Sequence, residues 1–284
     1  MDEISELAAL RGRLTAERTR GRSIGLVPTM GYLHEGHLSL VDAARSAADI
    51  VVLSAFVNPL QFGPNEDFER YPRDPDRDRD LARARGVDFF FAPSVAEMYH
   101  APGDLRVTAG EAGSLLEGAV RPGHFDGVLT VVAKLFNIVA PDVACFGQKD
   151  IQQVTLVRRM IDALDFPIRL IVVPIARDAD GLALSSRNVY LSVSDRKSAV
   201  AISRGLRAAE AAWRAGERDG GTLRALVERD LAAEPGISPD YVAVVDPDRL
   251  LPVTHADAGA ILAVAARVGR TRLIDNVILG SSDA

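Results

Sequence analysis

His34 and His37 stand three residues apart in the segment 28–37, which also carries Met30, Gly31 and Gly36. Imidazoles at that spacing can donate hydrogen bonds to phosphate oxygens. Where an apolar strand turns into a helix, free backbone N–H groups and the helix dipole add their own attraction for an anion. The sequence has that form. Residues 23–27 read as the strand, Gly31 and Gly36 leave the backbone unobstructed, and Leu38, Leu40, Val41 and Ala44 begin a helical apolar face. The pattern therefore points to phosphate chemistry, with a pair of ordinary turn histidines as the alternative. No cysteine or third histidine lies nearby, so no metal site is expected.

Other polar groups follow apolar segments in the same way. Asn58 and Gln61 come directly after the run 50–57. The glycine-rich turn 121–127 holds one cation, Arg121, and one imidazole, His124, although turn geometry alone would explain its glycines. After the apolar residues 143–146, Gly147, Gln148, Lys149 and Asp150 offer backbone donors, an ammonium and a carboxylate, and Gln153 lies one turn along the helix that follows. A helix cap by Asp150 is an equally good reading of that position alone. Leu184, Ser185, Ser186 and Arg187 supply two hydroxyls and a guanidinium, suited to the outer phosphates of a nucleotide or to an ordinary polar loop.

The elements that must position these groups alternate between strand and helix. Residues 50–57, 87–92, 143–146 and 168–175 read as buried strands, with a further short strand at 105–107. Residues 75–85, 128–139 and 151–164 read as helices, and the charge run 74–85 as a solvated helical face. The polar passage 63–73 reads as a mobile loop. Such alternation predicts an α/β fold, a Rossmann-like parallel sheet with helices on both faces and ligands at the carboxyl ends of its strands. A joint at 177–181 separates this domain, residues 1–176, from a smaller C-terminal α+β domain, residues 177–284. The latter has helices at 194–215 and 223–233 and strands at 241–245, 261–268 and 272–279, and is expected to cover the site. No GxGxxG follows the first strand and no GxxxxGK[ST] occurs, so the main sequence support for a dinucleotide oxidoreductase or P-loop NTPase is missing.

Composition narrows the partners. With 284 residues, 48% apolar and 25% charged, the chain can bury a sizeable core, and its formal charge of -6 argues against a broad nucleic-acid footprint. A small anionic substrate fits better. Of 33 basic residues only Lys134, Lys149 and Lys197 are lysine, and two of these fall in the segments just described. The single cysteine, Cys145, excludes an intrachain disulfide and fits a reducing compartment. The amino terminus lacks a basic region followed by an apolar segment, and no apolar run approaches the ~18 residues of a membrane span, so a cytoplasmic protein without membrane contact is expected.

Taken together, the blocks 28–37, 56–62, 121–126, 134–137, 146–150 with Gln153, and 185–188 resemble the pantothenate synthetase family over most of the chain, and 269–276 also looks familial. The paired histidines alone would indicate only the wider nucleotidyltransferase superfamily. The resemblance implies ATP-dependent condensation of (R)-pantoate with β-alanine to pantothenate, AMP and diphosphate through a pantoyl adenylate, a step toward coenzyme A, with Mg²⁺ accompanying ATP and a homodimer as the assembly. It further implies that His34, His37 and Lys149 act on the phosphates. ATP would be framed by Met30, Gly31, His34, Gly36, His37, Gly147, Gln148, Lys149, Asp150, Ile175, Leu184, Ser185, Ser186 and Arg187. Pantoate would be held by Gln61 and Gln153, with Asn58 and Arg121 beside them. Three positions depart from the family pattern: Tyr32 where a small residue is common, Leu184 where methionine is usual, and Arg77 where an acid is often found. The last makes a metal ligand in the cluster Asp76, Arg77 and Asp78 doubtful. A cytidylyltransferase-like enzyme that keeps the nucleotide on its product, and a catalytically silent nucleotide-binding protein, are the alternatives.

Overall fold

Continuous apolar runs produce the central strands. Strand β2 (Ile24–Thr29) and strand β3 (Ile50–Ala55) are buried along most of their length, which is the pattern of parallel strands covered on both faces. The structure, a computed structural model, describes residues 1–64, 66, 68–100 and 105–281. In chain order it contains β1 (Asp2–Ile4), α1 (Leu7–Thr19), β2, α2 (Glu35–Ala47), β3, α3 (Pro75–Ala84), β4 (Phe89–Phe91), α4 (Val95–Met98), α5 (Glu117–Val120), α6 (His124–Val139), β5 (Val143–Gly147), α7 (Ile151–Ala163) and β6 (Arg169–Val173). These are followed by α8 (Val193–Arg214), α9 (Gly220–Ala232), β7 (Ile237–Val245), β8 (Ile261–Val268) and β9 (Thr271–Ile278).

The chain divides into two compact units. The first comprises Met1–Ser114, Gly118–Gly147 and Leu156–Val173. Its sheet is six-stranded, parallel and ordered β1-β4-β3-β2-β5-β6, with helices around it. The order reverses between β2 and β5, because β3 and β4 extend the sheet on one side of β2 while β5 and β6 extend it on the other. Buried residues of α2 and the central strands, among them Leu40, Val41, Val51, Leu53 and Phe90, form one core. Helix α6 is apolar almost all round, from Phe125 to Val139. It lies so close to the turn 59–61 that a Cβ at Gly127 would fall 2.2 Å from the Leu60 carbonyl oxygen.

The second unit comprises Leu115–Glu117, Gln148–Thr155 and Pro174–Ala284. Its three-stranded antiparallel sheet runs β7-β8-β9, and Leu206, Leu223, Val227, Leu262 and Val264 fill the core with α8 and α9. A division at residue 176 leaves 115–117 and 148–155 with the first domain. They group with the second unit because Arg272, Asn276 and the Pro247 carbonyl hold them there through hydrogen bonds.

Several local expectations are corrected. Residues 2–4 form an edge strand paired with β4, too short for its alternation to register in the sequence. Residues 105–107 are not a strand: Leu105 is exposed, and the Val107 N–H donates to the Thr130 hydroxyl rather than to a neighbouring strand. Strand β7 starts four residues before the expected 241 and carries an irregularity between Pro239 and Tyr241, where proline's missing N–H is tolerated. The run 74–85 is not wholly solvated, since Asp78 is only 3% exposed. Within the passage 63–73, residues 65 and 67 lie outside the described residues. Among the described residues, no helix is long and apolar enough to cross a membrane.

Candidate active site

The strand order reverses between β2 and β5, and in such sheets ligands lie at the carboxyl ends of the strands at that point. Residues 30–34 leave β2 at that point. The Thr29 hydroxyl donates to the Ser54 carbonyl at 2.8 Å and accepts from the Gly31 N–H at 3.1 Å. Gly31 and Tyr32 then adopt left-handed backbone, with φ of 78° and 52°. Beneath this turn the Asp78 carboxylate accepts from the Tyr32 N–H at 2.7 Å and the Leu33 N–H at 2.6 Å, and Arg77 donates to the Leu33 carbonyl at 2.9 Å.

His34 is the N-cap residue of α2, with extended backbone. Its carbonyl accepts from the N–H groups of His37 and Leu38 at 2.8 and 3.0 Å. The two imidazoles stack with centroids 4.0 Å apart. The His34 N–H donates to His37 Nδ1 at 3.3 Å. A ring nitrogen that accepts carries no proton, so the neutral His37 ring holds its hydrogen on Nε2 and presents a donor at a helix N-terminus.

The nearby acidic side chains are engaged within the protein. Burial raises the Asp78 pKa, against the lowering effect of the Leu33 and Tyr32 N–H groups and of Arg77. Both of its oxygens are taken up by those N–H groups, and Asp76 is exposed and ion-paired to Arg79. Among the described residues, no group of three His, Cys, Asp or Glu could hold a metal ion.

A second network surrounds Gln61. Asn58, 1% exposed, donates to the Gln61 side-chain oxygen at 3.1 Å and to the Gly127 carbonyl at 3.0 Å. It accepts from the Tyr99 hydroxyl at 2.7 Å and from the Leu60 N–H at 3.2 Å. Burial pushes the Tyr99 hydroxyl up to about 12, so it remains a donor. The Gln61 amide nitrogen lies 3.2 Å from the Met30 sulfur, which joins this network to the signature loop. Arg121 reaches the Gln61 carbonyl directly at 3.3 Å and through His124, whose Nδ1 lies 2.8 Å from that oxygen and whose Nε2 lies 3.0 Å from the guanidinium. A carbonyl can only accept, so His124 donates from Nδ1 and accepts at Nε2. The other edge of Arg121 is held by Glu66 through bonds of 2.8 and 2.6 Å. Burial raises the Glu66 pKa, but the hydrogen bond and charge of Arg121 outweigh it and the carboxyl sits below its ordinary value.

In the second unit, the tight turn 148–150 is clamped by Asn276. Its amide donates to the Gln148 and Lys149 carbonyls, each at 3.0 Å, and its oxygen accepts from the Gln148 side chain at 3.2 Å. Gln148 is buried, Lys149 and Gln153 are half-buried, and Asp150 is exposed. Past Ile175 the chain doubles back, the Leu184 N–H donating to the Ala176 carbonyl at 2.9 Å and Arg177 bridging to Ala183. Ser185 caps the turn 186–190 by accepting from the Arg187 N–H at 3.3 Å. Arg177 forks onto Asp275 at 2.6 and 2.9 Å. Strand β9 packs against both turns, 148–150 and 186–190.

Within the first unit the structure thus joins His34 with His37, and Met30 with Gln61, Asn58 and Arg121, while Gly147 ends β5. Within the second it joins Gln148 and Lys149 through Asn276. Sequence reasoning missed Asp78 under the loop, Glu66 on Arg121 and Asn276 under the 148–150 turn as supporting residues. The block 269–276 was the one signal that pointed to Asn276.

A parallel sheet whose order reverses beside paired histidines at a helix N-terminus defines an α/β protein that handles phosphate groups. The chain belongs to the pantoate–β-alanine ligase family, whose sequence model matches residues 2–278. It is 53% identical over 283 residues to a pantothenate synthetase of Moorella thermoacetica, covering all of both chains. It is 56% identical over 272 residues to that of Acidobacterium capsulatum, covering 96% of this chain and 91% of the relative. Among solved structures, pantothenate synthetase from Thermus thermophilus matches with a TM-score of 0.93 at 49% identity, over 99% of this chain and 100% of that one. A Francisella tularensis pantoate–β-alanine ligase, complexed with "beta-gamma ATP" and β-alanine, matches with a TM-score of 0.80 at 32% identity over 99% of each.

Proposed function

We infer that the chain ligates pantoate to β-alanine at the cost of ATP, forming pantothenate, AMP and diphosphate. The observation that carries this is the family match over residues 2–278, which takes in both the histidine loop and the Gln61 network. A carboxylate does not acylate an amine unaided, so the reaction is read in two steps. A carboxylate oxygen of pantoate attacks the α-phosphorus of ATP while the bond to the bridging oxygen breaks and diphosphate leaves. The amine of β-alanine then attacks the acyl carbon, loses a proton, and AMP departs.

In this reading His34 and His37 stabilise negative charge developing around the α-phosphorus, for which the Nε2 hydrogen of His37 is suited. Both nucleophile and leaving group are anionic, so the step requires no proton from His37 at phosphorus. Met30, Gly31, Gly36 and Gly147 are assigned to ATP in the first unit. Gln148, Lys149, Asp150, Ile175, Leu184, Ser185, Ser186 and Arg187 are assigned to ATP in the second. Gln61 and Gln153 hold pantoate, and Asn58 stands beside them, acting through Gln61, since it is buried and its amide is engaged by Gln61, Gly127, Tyr99 and Leu60. Arg121 acts through Gln61, since its hydrogen bonds run to Glu66, His124 and the Gln61 carbonyl. In this reading Mg²⁺ enters with the ATP phosphates as part of the substrate, bound largely through water and substrate oxygens. A cytoplasmic location belongs to the same reading, as does a homodimer, which rests on the family resemblance alone.

The test supplies ATP and Mg²⁺ and omits pantoate or β-alanine in turn. Diphosphate released only with pantoate, and AMP only when β-alanine is added, identify the two half-reactions. Retention of the nucleotide on the product would favour a cytidylyltransferase-like enzyme, and ATP binding without turnover a silent binder.

A further inference from the structure

We propose that Asp78 is a positioning residue for the adenylation step, holding the left-handed turn 31–32 so that His34 and His37 are presented as a stacked pair. The proposal rests on the role just assigned to the histidines. Its physical basis lies in how little of the turn is self-supporting. Two consecutive residues have positive φ, and the second, Tyr32, has a side chain that disfavours that conformation. Such a backbone persists only where the surroundings determine it.

The surroundings are the first turn of α3. Asp78 is 3% exposed and accepts with one oxygen from each of the adjacent N–H groups of Tyr32 and Leu33. The fit is close: a Cβ at Gly31 would lie 2.9 Å from the same carboxylate. Arg77 takes the Leu33 carbonyl and sets its guanidinium 5.6 Å from the Tyr32 ring centroid. Arg77 and Tyr32 thus meet at this turn. Leu33 leads directly into His34, whose N–H fixes His37 Nδ1. The path from Asp78 to the His37 ring therefore consists of two hydrogen bonds and one residue, Leu33. Asp78 touches no reacting atom along it.

Asp78→Asn keeps the shape of the side chain but replaces one acceptor oxygen with an NH₂ that must face a backbone N–H. Pantoate-dependent diphosphate release is expected to fall on the order of ten- to a hundredfold in kcat, with the KM for ATP within about threefold. The histidine ¹⁵N spectrum is expected to change at His34 and His37. In a His37→Ala background the same substitution is expected to cost less than about twofold, since groups acting as one unit are not additive. Should Asp78→Asn fail to fold, Gly31→Ala presses on the same contact and is expected to reproduce the loss. Unmoved imidazole signals, or the full loss retained in the His37→Ala background, would overturn the positioning role. A His37→Ala enzyme that adenylates at the wild-type rate, with the imidazole signals moved by Asp78→Asn, would instead overturn the catalytic reading of the histidines and Asp78's part in it.

Discussion

Arg121 shows how a cation can serve a site without facing its ligand. One edge of its guanidinium is held by Glu66, and the rest is directed at the Gln61 carbonyl and at His124, which reaches the same carbonyl. Deleting Glu66's charge therefore tests the brace. Because Arg121 holds the Glu66 pKa below its ordinary 4.5, the stability from this pair is present above that value and is lost as pH falls through the lower folded value. Glu66→Gln is expected to have a lower Tm than wild type at neutral pH, with the gap closing as pH falls below the ordinary carboxylate range. A gap that stays constant with pH would show that the pair contributes nothing to stability through its charge. Asn58 and Gln61 were legible as polar groups just past a strand end, whereas their place beside pantoate, and that of Arg121 in its glycine-bearing turn, rested on the family resemblance. Glu66 and Asp78 were not legible, since a carboxylate in a charged stretch looks solvated until the fold brings a guanidinium or a backbone turn against it.

Among the elements, α6 and the turn 59–61 depend on one another through Gly127. Asn58 donates to the Gly127 carbonyl, and the Leu60 carbonyl occupies the space a side chain at 127 would need. The glycine is not there for its backbone angles, because it lies inside a helix. Gly127→Ala puts a methyl group 2.2 Å from the Leu60 oxygen and 2.7 Å from the Gln61 Cα, and since both are backbone atoms, helix and turn must separate. Overpacking of this kind costs about 1–3 kcal/mol. The expected outcome is a lowered Tm and a raised KM for pantoate, with the KM for ATP little changed; a variant with wild-type KM for pantoate would disconnect the turn from that substrate. Long elements such as α2, α6 and β8 were legible from apolar periodicity. Strand β1 and the irregular residues 105–107 were not, because three residues are too few to show a period and the partner of the Val107 N–H is a threonine hydroxyl 23 residues away.

For the whole molecule, the decisive feature is that neither unit is a continuous stretch of chain. The chain passes between them after residues 114, 117, 147, 155 and 173, an interleaving that a linear reading with one joint near 177 does not reveal. The segment 115–117 is tied into the second unit by a buried cluster. Glu117, 8% exposed, accepts from Arg272 at 2.8 Å and from the Tyr241 hydroxyl at 2.8 Å, while Gln152 accepts from the Glu117 N–H and donates to the Leu115 carbonyl. Burial would lower the Arg272 pKa, but Glu117 and Asp240 raise it further, so the guanidinium stays charged at every accessible pH. Removing one partner of such a pair leaves the other buried and under-compensated, at a cost of about 3–5 kcal/mol. Because loss of the second unit would free the ends of segments that belong to the first, the two are expected to unfold together. The sole tryptophan, Trp213, lies in α8 of the second unit and reports on it alone, whereas far-UV circular dichroism reports on both. The two signals are expected to trace one denaturant transition in the wild type, and in Glu117→Gln to move together to lower denaturant. A Trp213 transition that separates from the dichroism, in either protein, would mean that the second unit unfolds independently despite the interleaved chain.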